Sequence, residues 1–246
     1  MRVGLFVTCL ADLMRPSIGL AAVRLLEQAG CEVVVPSTQT CCGQPGFNSG
    51  DRKSAQTLAR KLITEFENCD YVVVPSGSCG GMIKTHYPEL LSDAPELEER
   101  VKWLVTRTYE LTDFLVNVAH LDRVQAGFDG TITYHDSCAG LRELGVKAQP
   151  RALLSKVSGL KLAEMAQPEQ CCGFGGTFSV KYGDISSRIA DQKCQDIEST
   201  EADALVLGDL GCMLNIEGRL RRRGNHKTKV LHVAEVLAGM TGDETE

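Results

Sequence analysis

Short apolar runs alternate with amphipathic stretches along this chain, and the period of the pattern switches between them. Residues 3–8 form a β-rich run, and 18–28 carry apolar residues at helical spacing up to a stop at Gly30. Residues 32–35 read as a buried strand ended by Pro36, 53–67 as an amphipathic helix, and 71–74 as a strand ended by Pro75. A helical pattern follows from about Leu97 to Leu121 and ends by Gly127, with Trp103 and Phe114 as core candidates. The signals then return in the same order. Strands are expected at 131–134, 160–164 and 204–207, with helices near 151–157 and 184–199. This alternation predicts an α/β fold built of two duplicated βαβαβ-type domains, each a parallel sheet covered by helices. The division is placed at about residue 125, giving domains 1–125 and 126–246.

The cysteines make the duplication explicit. The chain has 11, and the triplet Cys-Cys-Gly occurs twice, at Cys41-Cys42-Gly43 and Cys171-Cys172-Gly173. Chance would supply roughly 0.05 such triplets from this composition. Cys9 and Cys138 precede the triplets by 32 and 33 residues, and Cys79 and Cys212 follow the second cysteines by 37 and 40. The two sets are offset by 129 to 133 residues throughout, which is an internal repeat. Every one of the eight falls just after a predicted strand. In an open parallel sheet the loops at the carboxyl ends of strands converge on one edge, so residues remote in sequence can meet there. All eight are expected in such loops.

Four thiolates per half is the usual complement of an iron–sulfur cluster. The eight cysteines Cys9, Cys41, Cys42, Cys79, Cys138, Cys171, Cys172 and Cys212 are therefore the candidate ligands of up to two clusters, [4Fe-4S] being the expected type. Gly43 and Gly173 leave room for a bulky core. Gly77, Gly80, Gly81, Gly175 and Gly176 are expected to bring backbone N–H groups towards the sulfurs. Zinc is the competing occupant, but structural zinc sites favour closely spaced cysteine pairs, and these ligands are scattered. Disulfide exchange would favour Cys-x-x-Cys, which is absent. Cys31, Cys69 and Cys194 have no counterpart in the other half and read as small buried residues. His135 and Asp136, just before Cys138, either line the second site or are satisfied loop residues.

Charge excludes some partners. With 26 basic and 32 acidic residues the net charge is −6, so no basic nucleic-acid footprint exists. Arg219, Arg221, Arg222 and Arg223 read as a solvated helix end rather than a phosphate site. No segment approaches the ~20 apolar residues of a membrane span, and the short apolar start lacks the features of an export signal. A cytoplasmic protein is expected, where abundant cysteines suit metal ligation better than disulfides.

These residues resemble a known family. The Cys-x31-Cys-Cys-Gly-x35-Cys pattern is similar to the cysteine-rich CCG domain found in the B-type component of heterodisulfide reductase and in the iron–sulfur subunits of glycolate and glycerol-3-phosphate dehydrogenases. One branch is nearer. Leu5-Phe6-Val7-Thr8-Cys9, Cys41-Cys42-Gly43-Gln44-Pro45, Pro75-Ser76-Gly77-Ser78-Cys79, Tyr109-Glu110-Leu111-Thr112-Asp113-Phe114, Cys171-Cys172-Gly173-Phe174-Gly175-Gly176-Thr177-Phe178-Ser179-Val180-Lys181 and Gly211-Cys212-Met213-Leu214-Asn215-Ile216 resemble the lactate utilization protein A family over essentially the whole chain. The resemblance implies one component of a three-protein iron–sulfur system that oxidises L-lactate to pyruvate, with lactate utilization B- and C-type proteins as partners. The B-type partner would carry the ferredoxin motif that this chain lacks. The wider CCG pattern ends in a close cysteine pair, whereas Ser76 and Asp209 stand at the earlier position here, which favours four-thiolate over five-thiolate ligation. The readings to be distinguished are an electron-transfer subunit for lactate, the same fold serving glycolate or a thiol–disulfide pair, and a zinc-stabilised scaffold subunit.

Overall fold

The computed structural model describes residues 1–242 and contains two four-stranded sheets, both entirely parallel. The first consists of β1 (Arg2–Leu5), β2 (Glu32–Val34), β3 (Tyr71–Val74) and β4 (Thr108–Glu110), in the order β2-β1-β3-β4. The second repeats it with β5 (Gly127–His135), β6 (Ser158–Leu162), β7 (Ala204–Leu207) and β8 (Lys229–His232), in the order β6-β5-β7-β8. In each order the chain leaves the first strand towards one edge and returns on its other side. The gap between β1 and β3, and between β5 and β7, is thus a topological switch point, where open parallel sheets hold their ligands.

Each half has a fourth strand that the sequence pattern did not predict. β4 divides the helical stretch expected over 97–121 into two helices, Glu98–Arg107 and Leu111–Asn117. Thr108 Oγ1 donates back to the Leu104 carbonyl at 2.7 Å, and the Glu110 carboxylate caps the next helix by accepting from Thr112 N at 2.7 Å and Asp113 N at 3.1 Å. Three residues with polar ends, set between helices, leave too little alternation to read. β5 also starts earlier than expected, with a register shift between Gly127 and Gly130.

Side-chain alternation along the strands divides the interior. Leu5, Val73, Ile132, Tyr134 and Val206 face a shared core between the sheets, filled by Leu25, Leu26, Phe114, Leu115, Leu153, Leu154, Val236 and Leu237. Helices from both halves interleave there: Ser17–Gln28 packs on Val233–Leu237, and Leu111–Asn117 on Ala148–Leu154. The expected division near residue 125 lies in the connection between Leu111–Asn117 and β5. The opposite faces bury separate cores. In the first half the helix Arg52–Phe66 covers Phe6, Val72 and Val74 with Ala55, Ala59, Leu62, Ile63 and Phe66. In the second, Gly183–Glu198 presents Ser186, Ala190, Lys193, Cys194 and Ile197, the same burial pattern 131 residues on. Phe66 meets Phe6 edge-on at 6.1 Å, and truncating such a buried ring to alanine costs about 3–5 kcal/mol. No helix among the described residues is long and apolar enough to cross a membrane.

Candidate metal centres

The eight repeated cysteines gather as two groups of four at the two switch points. The expectation that all lie in loops needs correction. Cys41-Cys42 and Cys171-Cys172 do lie in loops, but Cys9, Cys79, Cys138 and Cys212 sit in the first turns of helices that start directly after β1, β3, β5 and β7. First-turn N–H groups have no intrahelical partner and face incoming negative charge. The helix starts are set by side-chain caps: Thr8 accepts from Ala11 N, Ser76 from Cys79 N, Ser137 from Gly140 N, and Asp209 from Gly211 N and Cys212 N. Thr8 holds φ 73, an unusual value for a β-branched residue, immediately before Cys9.

In the first half Cys42 Sγ and Cys79 Sγ are 3.4 Å apart, and Cys41 joins Cys9 to Cys42 by thiol hydrogen bonds. In the second half Cys171 joins Cys138 to Cys172, which contacts Cys212. One thiol in each set is the favoured thiolate. Hydrogen bonds from Cys42 and Cys9 hold Cys41 down to about 2, and those from Cys138 and Cys172 hold Cys171 down to about 2. The same contacts push Cys9, Cys42, Cys138 and Cys172 up, with burial adding to the effect. Four thiols this close cannot all ionise without a cation among them, and a bound metal centre deprotonates coordinating thiols. The donor sets therefore fit a cationic metal or iron–sulfur centre. Cys9 and Cys171 are exposed while Cys42, Cys172 and Cys212 are buried, so each group has one edge at the surface.

The glycines divide into two kinds. Gly43 and Gly173 hold φ of 86 and 87, and their N–H groups donate to Cys41 Sγ at 3.4 Å and Cys171 Sγ at 3.3 Å. Phe174 N donates to Cys172 Sγ at 3.5 Å, and Gly175 turns the same loop with φ 54. Gly77 serves a different contact. A Cβ there would lie 2.7 Å from Ser137 Oγ and 2.8 Å from Gly140 N, so the Cys79 helix touches the Cys138 helix only because residue 77 lacks a side chain. Gly80 and Gly81 face Leu144 and Glu143 of that same helix, not the thiols.

Ser76 and Asp209, the two departures from the wider pattern, meet between the Cys79 and Cys212 helices. Asp209 Oδ2 accepts from Ser78 N at 2.8 Å and Ser76 Oγ at 3.1 Å, while Oδ1 accepts from Gly211 N at 3.1 Å and Cys212 N at 3.4 Å. One buried carboxylate thus joins the Cys79 and Cys212 helices. Its position three before a cysteine, like Ser76, is a legible capping signal. Tyr87 and Asn215 have no such signal. Tyr87 OH donates to the Cys42 carbonyl at 2.8 Å, and Asn215 Nδ2 to the Cys172 carbonyl at 2.9 Å.

His135 is fully buried at the end of β5. A ring nitrogen lies within 4.8 Å of the Cys172 and Cys212 thiols, the one group of three such donors this close among the described residues. Burial and the nearby Lys193 push its pKa down to about 3. Lys193 is also buried, with Nζ donating to the Gln167 carbonyl at 2.5 Å, and burial pushes it down from the usual lysine range. Asp136 pairs with Arg151 at 2.8 Å, and Arg151 reaches Glu164 at 2.6 Å. Cys31, Cys69 and Cys194 are buried, as expected. Of the basic cluster, Arg219 and Arg223 pair with Asp191 and Arg221 with Glu217, which leaves little charge free for phosphate.

The family profile described as a cysteine-rich domain (CCG) matches residues 3–84 and again 132–217. The chain is 50% identical over 237 residues to lactate utilization protein A of Geobacillus thermodenitrificans (strain NG80-2), covering 96% of this chain and 98% of that one. It is 49% identical to lactate utilization protein A of Halalkalibacterium halodurans, covering 96% of each, and 46% identical to lactate utilization protein A 2 of Bacillus cereus (strain Q1), covering 97% and 98%. Among solved structures, a hypothetical protein from Helicobacter pylori superposes with a TM-score of 0.66 at 13% identity. That match covers 98% of this chain but 49% of the other, and it concerns the fold alone.

Proposed function

The chain belongs to the lactate utilization protein A family of cysteine-rich CCG proteins, and we propose that it is the iron–sulfur electron-transfer component of a multi-protein system oxidising L-lactate to pyruvate. The observation that carries the reading is the convergence of two complete four-cysteine sets on two switch points. Bound centres supply one-electron storage, with potentials set by thiolates, hydrogen bonds and exposure. The chain's own residues do the rest. Cys9, Cys41, Cys42 and Cys79 hold the first centre, and Cys138, Cys171, Cys172 and Cys212 the second, each as [4Fe-4S]. Gly43 N and Gly173 N donate to ligand sulfurs and so stabilise their negative charge. Gly175 shapes the second loop, and Gly77 lets the two cysteine-bearing helices touch.

Lactate oxidation releases two electrons, and two one-electron sites joined through Asp209 suit that count. The exposed edges at Cys9 and Cys171 face outward, where B- and C-type lactate utilization proteins would dock. A cytoplasmic setting keeps unligated thiols reduced. The test is genetic. A strain lacking this chain should lose growth on L-lactate and keep growth on pyruvate and on glycolate. The wild-type chain should restore growth on lactate, and Cys138→Ser should not. Normal growth of the deletion strain on lactate would overturn the assignment, and loss on glycolate instead would move it to another 2-hydroxy acid.

A further inference from the structure

The two cysteine sets are equivalent in order and topology, but the residue behind each is not. Phe6 stands three positions before Cys9, and His135 stands three before Cys138. Both project from the outer face of the first strand's carboxyl end, and both are buried. Phe6 is satisfied there by its contact with Phe66. His135 is not.

Its Nδ1 lies 3.2 Å from the Pro168 carbonyl oxygen. A carbonyl oxygen only accepts, so Nδ1 must carry the proton. In the neutral ring that leaves Nε2 as a bare lone pair. Nε2 is fully buried and has no hydrogen-bond partner, one of three such side-chain atoms among the described residues. Of the three residues concerned, His135 alone has a ring nitrogen grouped with thiols, those of Cys172 and Cys212, within 4.8 Å. An imidazole that donates Nδ1–H to a backbone carbonyl, keeps a buried Nε2 without a partner and has a ring nitrogen within 4.8 Å of two thiols has the arrangement of a metal-ligating histidine, whose outer hydrogen bond fixes tautomer and ring orientation. A buried acceptor without a partner is otherwise destabilising.

We propose that His135 Nε2 is a direct ligand of the second centre in place of Cys171, the exposed one of its four cysteines, which leaves Cys138, Cys172 and Cys212 as thiolates and makes a mixed histidine–thiolate site that the first half, with Phe6 in that place, cannot form. The proposal rests on the iron–sulfur reading of the preceding section. Replacing thiolate by imidazole ligation removes negative charge from a centre and raises its reduction potential. The second centre is therefore the electron acceptor of the pair, and the first the donor.

The test uses the full chain, purified anaerobically with its centres, after growth on histidine labelled with 15N in the ring. Pulsed electron paramagnetic resonance of the reduced protein should show hyperfine coupling from a directly bonded ring nitrogen, with 14N and 15N samples differing accordingly. His135→Phe should abolish that coupling, and His86→Gln should not. The same His135→Phe substitution should shift the second centre's reduction equilibrium at least tenfold towards the oxidised form, about 60 mV for a one-electron couple. The labelled wild-type protein answers the question even if the variant fails to fold. Iron and sulfide present without nitrogen coupling would overturn the ligation and leave the iron–sulfur reading intact. Coupling that persists in His135→Phe would equally refute the assignment. Absence of iron and sulfide altogether would overturn both.

Discussion

The two halves carry the same four cysteines on the same strand order, yet the side chains packed behind them differ in kind. Behind the first set stand Phe6, Leu62, Ile63 and Phe66. The corresponding places in the second half hold His135, Lys193, Cys194 and Ile197, from β5 and the helix Gly183–Glu198. The topology decides where ligands converge, because the switch point lies between the same two strands in each sheet. The residues one layer behind decide what charge those ligands see. The duplicated scaffold has thus kept its cysteines and diversified their surroundings, as the two proposed centres at different potentials would require.

The comparison breaks most completely at the cysteines. Cys9→Ser should remove about four of about eight irons, with matching sulfide, and leave the second centre's spectrum unchanged. Cys138→Ser should do the reverse. Full metal content in both variants, by iron and sulfide analysis, would refute the ligand assignment.

A second contrast lies at the ends of the fourth strands, where Glu110 and His232 each cap the helix that follows. Burial pushes the Glu110 carboxyl up to about 7 and the His232 imidazole down to about 4. Glu110 is faced by Asp113 and His232 by Glu235, Asp209 and Arg15. Glu110 stays protonated in the folded chain where the unfolded chain has released its proton, so its contribution to stability is present at low pH and lost as pH rises towards 7. His232 acts in the opposite sense: its contribution is present above the usual histidine range and lost as pH falls towards 4. Each amounts to roughly 3–4 kcal/mol at most. Glu110→Gln should therefore leave stability rising with pH between 4 and 6.5 more steeply than in the wild type, measured by chemical denaturation. An unchanged slope would contradict the assignment to Glu110.

The bridge between the halves gives the next effect. Asp209→Ala removes a helix cap and orphans Ser78 N, which should destabilise the chain by about 1–2 kcal/mol. Ser76→Ala removes a partner without removing the carboxylate and should cost less. Equal losses would show that Asp209 is only one cap among several. The smallest effect concerns Lys193. Lys193→Met gives this position the apolar character of Leu62 and removes a buried cation near the second set. The second centre's potential should fall, by less than the shift expected for His135→Phe, and stability should fall too, because Asp196 and the Gln167 carbonyl lose their buried partner. A potential unmoved by Lys193→Met would confine the asymmetry to His135.

Much of this was legible in the residues. The Cys-Cys-Gly repeat and its constant offset are covalent facts, and the strand–helix rhythm gave the parallel fold and the convergence of cysteines. What escaped has physical reasons. β4 and β8 are edge strands of three and four residues, too short for alternation to register. Helix first turns look like loops when a glycine-rich stretch such as Gly77-Ser78-Cys79-Gly80-Gly81 forms them, since glycine disfavours helix unless packing compensates. Here the packing partner is the Cys138 helix, 59 residues away in sequence between Cys79 and Cys138. Lys193, Tyr87 and Asn215 reach their sites from other elements, so nothing local marks them. His135 was visible as a neighbour of Cys138, but only the fold shows its free nitrogen.

The most direct measurement is iron, acid-labile sulfide and zinc per chain after strictly anaerobic purification. Two cluster-binding halves predict about eight irons and about eight sulfides, with no stoichiometric zinc. Stoichiometric zinc without sulfide would contradict the account and make the chain a zinc-stabilised scaffold instead.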